Sequence, residues 1–244
     1  MRTVVPSAFF GWGPIRRIYP PAALPRRIAR FPHLHTIATH HVAVDLTPPT
    51  LAGRHVRLVP LTLHHVPALW EVGSEEEIWR WTLNQILSEA EMRRYVRAAL
   101  EKQAAGGAIP FATTDAATGR VIGSTRFHNI DPVNRRVEIG YTWIGGAWRR
   151  TPANTEAKYL MLRHAFESLG CVRVELRTDA LNTRSRSAIL RIGAKEEGTL
   201  RRHLLTDSGR FRDTVYFSIL DDEWPRVKLR LEEMLARPWS PAAA

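Results

Sequence analysis

The sequence predicts a single domain of the α+β or α/β class, with about seven strands in a central sheet flanked by helices. Three observations point there. From residue 51 onward, strand-like and helix-like patterns follow one another in the order β-α-α-β-β-β-α-β-α-β-β-α, with no internal repeat. The chain has 244 residues, 44% of them hydrophobic, enough to bury a full core. No window approaches 18 consecutive apolar residues, so no segment reads as a membrane span.

The elements follow from local signals. "RHVRLVPL" reads as a strand over Arg54 to Leu61. "TLHHVPALWEVG" is a short helix with Thr62 at its start, and "SEEEIWRWT" is a second short helical segment. In "SEAEMRRYVRAALEKQAAGG", Ser88 and Glu91 form a capping box and Gly106-Gly107 end the helix; Met92, Tyr95, Val96 and Ala99 share one face. "IPFATTD" and "RVIGSTRFHNI" form a hairpin around "AATG". After Asp131 to Asn134, "RRVEIGYTWI" is a strand on which Val137, Ile139, Tyr141 and Trp143 make one apolar face. A helix from about Ala153 to Leu169 buries Ala157, Leu160, Met161, Ala165 and Leu169. "CVRVELRT" is a strand, and "NTRSRSAILRIG" is a helix with Asn182 as N-cap and Gly193 past its end. "AKEEGTLRRHLL" and "FRDTVYFSIL" pair around "TDSGR", and "DDEWPRVKLRLEEMLA" closes the domain as a helix.

Composition sets the first 47 residues apart. They hold six arginines, six prolines and one acid, Asp45, for a net of +5 out of the chain's +11. Prolines at that density interrupt any long helix. Residues 1–47 therefore read as a poorly ordered basic extension, with a basic arm for an anionic surface as the other reading. Residues 48–238 form the domain and 239–244 a tail. The excess of arginine suits a nucleic acid, a membrane surface or a phosphorylated ligand, but no nucleic-acid reading element accompanies it. The one cysteine, Cys171, excludes an intramolecular disulfide and fits a reducing cytoplasm. His40-His41 and His64-His65 are adjacent pairs without partners at ligand spacing, so no metal site emerges.

The turn "GGAWRRTPANTEA" gathers cations and small polar residues where a helix begins. A helix N-terminus exposes unpaired N–H groups and the positive end of the macrodipole, which suits phosphate. Thr151 can cap and Pro152 can occupy the first helical position. Either the turn holds a diphosphate, or it is a capped helix with solvated arginines.

In these stretches the chain resembles the GNAT superfamily of acetyl-CoA-dependent N-acetyltransferases, nearest the ribosomal-protein N-terminal acetyltransferase branch. The resemblance runs over about residues 51–235. The family's Q/R-x-x-G-x-G/A loop, followed here by T-E-A, is matched by "RRTPAN" and Thr155-Glu156-Ala157, with Pro152 and Asn154 replacing glycine or a small residue. "VIGSTRFHNID", "RRVEIGYTWI", "LNTRSRSAILRIGAKEEGTLRRHLL" and "FRDTVYFSILDDEW" match in order. The resemblance implies a mixed, mostly antiparallel sheet with splayed fourth and fifth strands. It implies acetyl-CoA as co-substrate, without metal, and an amine acceptor, either a protein N-terminus or a small-molecule amine, on a monomer or homodimer.

Residue by residue, the resemblance places cofactor contacts at Arg149 and at the N–H groups of Arg150, Thr151, Ala153, Asn154 and Thr155. It also places them at the freed backbone around Trp143 and Ile144, and at Asn182 and Ser185, for which helix capping is the alternative. Glu138 is the candidate base; a cross-strand ion pair with an arginine such as Arg126 is the other reading. His128 is a second candidate base. Three function classes stand: an N-acetyltransferase, a catalytically degenerate acetyl-CoA-binding or scaffold protein, and a basic ribosome- or nucleic-acid-associated protein.

Overall fold

The computed structural model describes residues 46–239; the expected extension and tail lie outside these, save for Leu46, Thr47 and Trp239. Eight strands form one sheet in the order β1-β2-β3-β4-β5-β6-β8-β7. They are β1 (Leu51–Ala52), β2 (Val56–Pro60), β3 (Ala108–Asp115), β4 (Val121–Asp131), β5 (Arg136–Ile144), β6 (Arg173–Asp179), β7 (Lys195–Leu205) and β8 (Phe211–Leu220). The eighth strand is the two-residue β1, and the strand expected from Arg54 is shorter, because Gly53 turns the chain between β1 and β2. All neighbours are antiparallel except β5 and β6.

Six α-helices accompany the sheet: α1 (Val66–Gly73), α2 (Glu76–Trp79), α3 (Glu89–Ala104), α4 (Ala153–Arg163), α5 (Thr183–Arg191) and α6 (Trp224–Ala236). None is long and apolar enough to cross a membrane. Ser88 caps α3 by accepting from Glu91 N–H at 3.2 Å. The reciprocal half of the capping box differs: Glu91 Oε2 accepts from Leu87 N–H, at 2.6 Å, rather than from Ser88. The helix expected to reach Leu169 changes pitch at Arg163 and continues as a π turn over His164–Ser168.

The sheet separates two cores. One packs Phe111, Phe127 and Phe217 with Met161 of α4 and Leu231 of α6. The other packs Leu69 of α1 and Met92 and Val96 of α3 with Trp79 and Trp143. Each fully buried large side chain contributes about 1.5–3 kcal/mol. The row Val137, Ile139, Tyr141, Trp143 does not stay on one face. Ser124 pairs with Trp143 but Arg126 pairs with Gly140, so β5 carries one residue more than β4 in this interval. Tyr141 takes up the excess at φ 50°. A bulge of this kind reverses the alternation beyond it. Val137 and Ile139 therefore join the α4 core, and Trp143 joins the α3 core.

Glu156 fixes α4 to the sheet. It is 5% exposed, and its carboxylate accepts from three backbone N–H groups, of Arg54, His55 and Val56, at 2.8, 2.6 and 2.7 Å. Gly53 leaves the room this needs: a Cβ there would lie 2.4 Å from Glu156 Cδ. Glu156→Gln replaces one acceptor oxygen with a donor facing these N–H groups. It should cost roughly 1–3 kcal/mol of stability, read as a lower urea midpoint with an unchanged slope. An unshifted midpoint would show that these contacts stabilise nothing.

Candidate functional site

The parallel pairing of β5 and β6 is short. It joins Arg136 to Arg173, Val137 to Val174 and Glu138 to Glu175, and then the strands part. From Ile139 to Ile144 the β6-facing edge of β5 is unpaired in the sheet, so the expected freed backbone around Trp143 and Ile144 is present. The Trp143 side chain is core, 5.2 Å from Trp79 between ring centroids.

The turn from Gly145 to Thr155 leads to α4. Here the caps sit one residue later than expected: Pro152 is in the N-cap position and Ala153 opens the helix. Thr151 Oγ1 accepts from Ala153 N–H at 3.2 Å and donates to Trp148 O at 2.8 Å. Two of the five expected phosphate donors are thus engaged within the turn, since Thr151 N–H reaches Trp148 O at 3.4 Å. The N–H groups of Arg150, Asn154 and Thr155 have no partner among the described residues. Arg150 holds φ 63°, a left-handed conformation uncommon outside glycine and frequent where strain serves a site. Uncommitted N–H groups at a helix N-terminus fit an anionic diphosphate. Arg149 lies 3.6 Å from Glu75, which also accepts from Gly146 N–H at 3.0 Å. Thr155 is buried, with Oγ1 accepting from Arg191 at 3.1 Å. Asn182 caps α5 by accepting from Ser185 N–H at 3.0 Å, the capping alternative for this pair.

Glu138 is 1% exposed on the face opposite Val137 and Ile139. Its ion-pair partners are Arg177 of β6, with Nε at 2.7 Å, and His128 of β4, with Nε2 at 3.1 Å; Arg126 is not among them. The His128 contact has ion-pair distance without hydrogen-bond alignment. The other carboxylate oxygen accepts from Asn129 Nδ2 at 2.8 Å. Burial pushes the Glu138 carboxyl up, but His128, Arg177 and the Asn129 amide together outweigh it and leave the group below the usual carboxylate range. It is therefore ionised at neutral pH. No cluster of three or more metal-ligating side chains occurs among the described residues.

A strand pair that opens beside an uncapped helix terminus is the geometry expected from the family resemblance. Residues 55–195, more than half of the chain, match the profile of the acetyltransferase (GNAT) domain. The chain belongs to the GNAT acetyltransferase family. A Bacillus subtilis (strain 168) protein named provisionally as the ribosomal N-acetyltransferase YdaF is 39% identical over 110 residues; the match spans 45% of this chain and 59% of YdaF. The uncharacterized N-acetyltransferase p20 of Bacillus licheniformis is 27% identical over 72% of this chain and 98% of its own. A GCN5-related N-acetyltransferase from Brucella melitensis shares the GNAT architecture at TM-score 0.73 and 34% identity, over 78% of this chain and 86% of that one.

Two buried charged residues of α4, near this site, escaped the sequence reading. Glu156 was visible only as part of T-E-A. Lys158, also on α4, is 6% exposed, and its Nζ donates to Thr142 Oγ1 at 2.5 Å on the freed segment of β5. No carboxylate lies within ion-pair distance among the described residues, and burial pushes the amine down to about 7. Above the ordinary lysine value of 10.5 the amine is neutral folded or unfolded, and its burial carries no ionisation cost. As pH falls from there towards 7 the unfolded chain takes up a proton that the folded one refuses, so stability is lost. Lys158→Met removes this loss. The variant should exceed the parent at pH 7 by about 1 kcal/mol or more, and the gap should close towards pH 10.5 in denaturation series. A gap independent of pH would contradict the lowered amine.

Proposed function

We propose that this protein transfers an acetyl group from acetyl-CoA to an amine by direct attack on the thioester. The observation that carries this reading is the parting of β5 from β6 beyond Glu138 and Glu175, in the same fold as the open N-terminus of α4. Bound acetyl-CoA supplies an acyl carbon activated by its thioester. The chain's part is to hold, orient and deprotonate. Arg150, Asn154 and Thr155 offer N–H groups to the diphosphate, and Arg149 adds charge once it exchanges Glu75 for phosphate. The unpaired edge of β5 around Trp143 and Ile144 offers backbone groups to the pantetheine arm, with Asn182 and Ser185 on its flank.

In the transfer, the amine nitrogen bonds to the acetyl carbon and the carbon–sulfur bond breaks. CoA leaves as thiolate, and the proton of the attacking nitrogen passes to the Glu138–His128 pair. Glu138 is ionised and can take that proton directly or stabilise it on His128. YdaF's name points to a ribosomal acceptor, and a small-molecule amine is the other acceptor class. A second reading, binding of acetyl-CoA without turnover, is favoured by Glu75, which already occupies Arg149 and Gly146 N–H. The cytoplasm suits the single cysteine, which stays unpaired.

Calorimetric titration with acetyl-CoA tests the binding half. Arg149→Glu should weaken affinity by more than ~10-fold, since attraction becomes repulsion; unchanged affinity at moderate salt would remove Arg149 from the site. Turnover on an amine panel tests the chemistry. Glu138→Gln should lower kcat by about 10²–10⁴-fold with acetyl-CoA affinity within ~3-fold of the parent. The acidic limb of its pH profile should be lost. A fall of less than threefold with an unaltered profile would leave Glu138 as a structural partner of Arg177.

A further inference from the structure

Arg126 has an unusual environment for a charge. It stands in β4 with 3% of its surface exposed. A buried guanidinium ordinarily has a carboxylate to offset its lost hydration. Among the described residues the Arg126 side chain makes neither an ion pair nor a hydrogen bond, and its buried Nε lacks an acceptor. It lies instead against two aromatic rings, its Cζ 3.8 Å from the Tyr141 centroid and 5.0 Å from that of Tyr95. Stacking covers the flat faces of a guanidinium and leaves its edge, where the N–H donors point, uncommitted.

Arg126, Tyr95 and Tyr141 line a cleft of about 400 Å³, a size in the range of small-molecule sites. Two carboxylates border the same cleft, and neither forms an ion pair with Arg126. Asp207 Oδ2 accepts from Gln85 N–H at 3.1 Å, and Glu91 accepts from Leu87 N–H and pairs with Arg94 at 3.3 Å. The cleft therefore presents a cation with which none of the described residues forms an ion pair.

Its place relative to the proposed base is set by register. Arg126 pairs with Gly140, and His128 pairs with Glu138. Alternate residues of a strand share a face, so Arg126 and the His128–Glu138 pair stand side by side, about 7 Å apart along the strand. Gly140 adds no side chain there, since a Cβ would lie 2.4 Å from His128 Nε2, and the Tyr141 ring packs against both Arg126 and His128.

We infer that the acceptor is an amine carrying its own carboxylate a few bonds from the nitrogen, an amino acid in the broad sense, and that Arg126 recognises that carboxylate. The inference rests on the reading of Glu138 and His128 as the proton acceptor. A carboxylate held edge-on by Arg126 supplies the missing counter-charge and accepts two parallel hydrogen bonds. An amine two or three bonds away then extends along the strand towards His128, whose ring packs on Tyr141 of the cleft wall at 5.0 Å between centroids. A protein N-terminus with no acidic group near it brings nothing for Arg126.

The test uses acceptor pairs that differ only in the carboxylate, free amino acids against their carboxamides, with the full-length protein and acetyl-CoA. The best acids should show kcat/KM at least ~10-fold above their amides. Arg126→Met should bring the acids down to the level of the amides while acetyl-CoA affinity by calorimetry changes less than ~3-fold; Arg126→Lys should recover part of the preference. Equal use of acid and amide by the unmutated protein overturns the inference whatever the variants do, and so does acetylation confined to peptide N-termini. If no amine is acetylated, the proposed activity fails separately, and saturation-transfer NMR with the same pairs decides the inference. Binding of acids but not amides upholds it; binding of both alike, or of neither, overturns it.

Discussion

Between Gly140 and Trp143 the fifth strand has one residue more than the strand it pairs with, and the arrangement of the site depends on how that excess is absorbed. Tyr141 takes the left-handed conformation, so Gly140 and Tyr141 both address the α3 side. Tyr141 lands against Arg126 and His128, and Thr142 is turned towards Lys158 of α4. Trp143 then returns to the α3 core beside Trp79. Without the bulge, alternation would send Tyr141 into the core that holds Val137 and Ile139, and Arg126 would lose the closer of its two aromatic neighbours. The parting of β5 from β6 just before it leaves the same stretch unpaired on its other edge. Two separate irregularities, the bulge against β4 and the parting from β6, thus meet on one short stretch of β5.

Charge on the α3-facing side of the sheet is arranged in two modes. Around Glu138 it is closed: one carboxylate is held by Arg177, His128 and Asn129, and its burial is compensated. Around Arg126 it is open, with aromatic faces in place of a counter-ion. Closed charge gives rigidity and a defined protonation state. Open charge is costly in the empty protein and is regained when a ligand of opposite sign arrives. The Glu75–Arg149 contact in the turn before α4 is intermediate, a solvent-reaching pair that can exchange partners at little cost.

The order of the elements was legible in the sequence because its signals are local: Ser88 and Asn182 as caps, Gly106 and Gly193 as stops, and period-two patterning over the strands. The site was legible as a region. The bulge was not, because the row Val137, Ile139, Tyr141, Trp143 keeps its apolar period straight across it, and tyrosine at positive φ leaves no turn residue to mark the place. The partner of Glu138 was misjudged for a related reason. Arg126 is close in sequence, whereas Arg177 arrives from β6 through a parallel pairing that no local pattern encodes. At the start of α4, threonine followed by proline allows two caps in adjacent frames, and the structure takes the later. Glu156 and Lys158 read as helix-former residues; only the close approach of β2 and the freed segment of β5 makes them buried.

The last strand in spatial order has a different kind of problem. β7 ends the sheet, paired on one side to β8 and largely exposed along its length. A long outer strand is a ready template for the strand of another molecule. Here the ladder breaks near Glu197 and again between Leu200 and Leu204, so no run of consecutive pairs exceeds three residues. Lys195, Glu196, Glu197, Arg201 and Arg202 distribute both signs of charge along it, and Arg202 sits at φ 48°. An incoming strand would meet an interrupted rail studded with hydrated charge, with nowhere to extend its pairing. The irregular outline of this border therefore offers an approaching strand a poor template, although the margin itself is left uncovered.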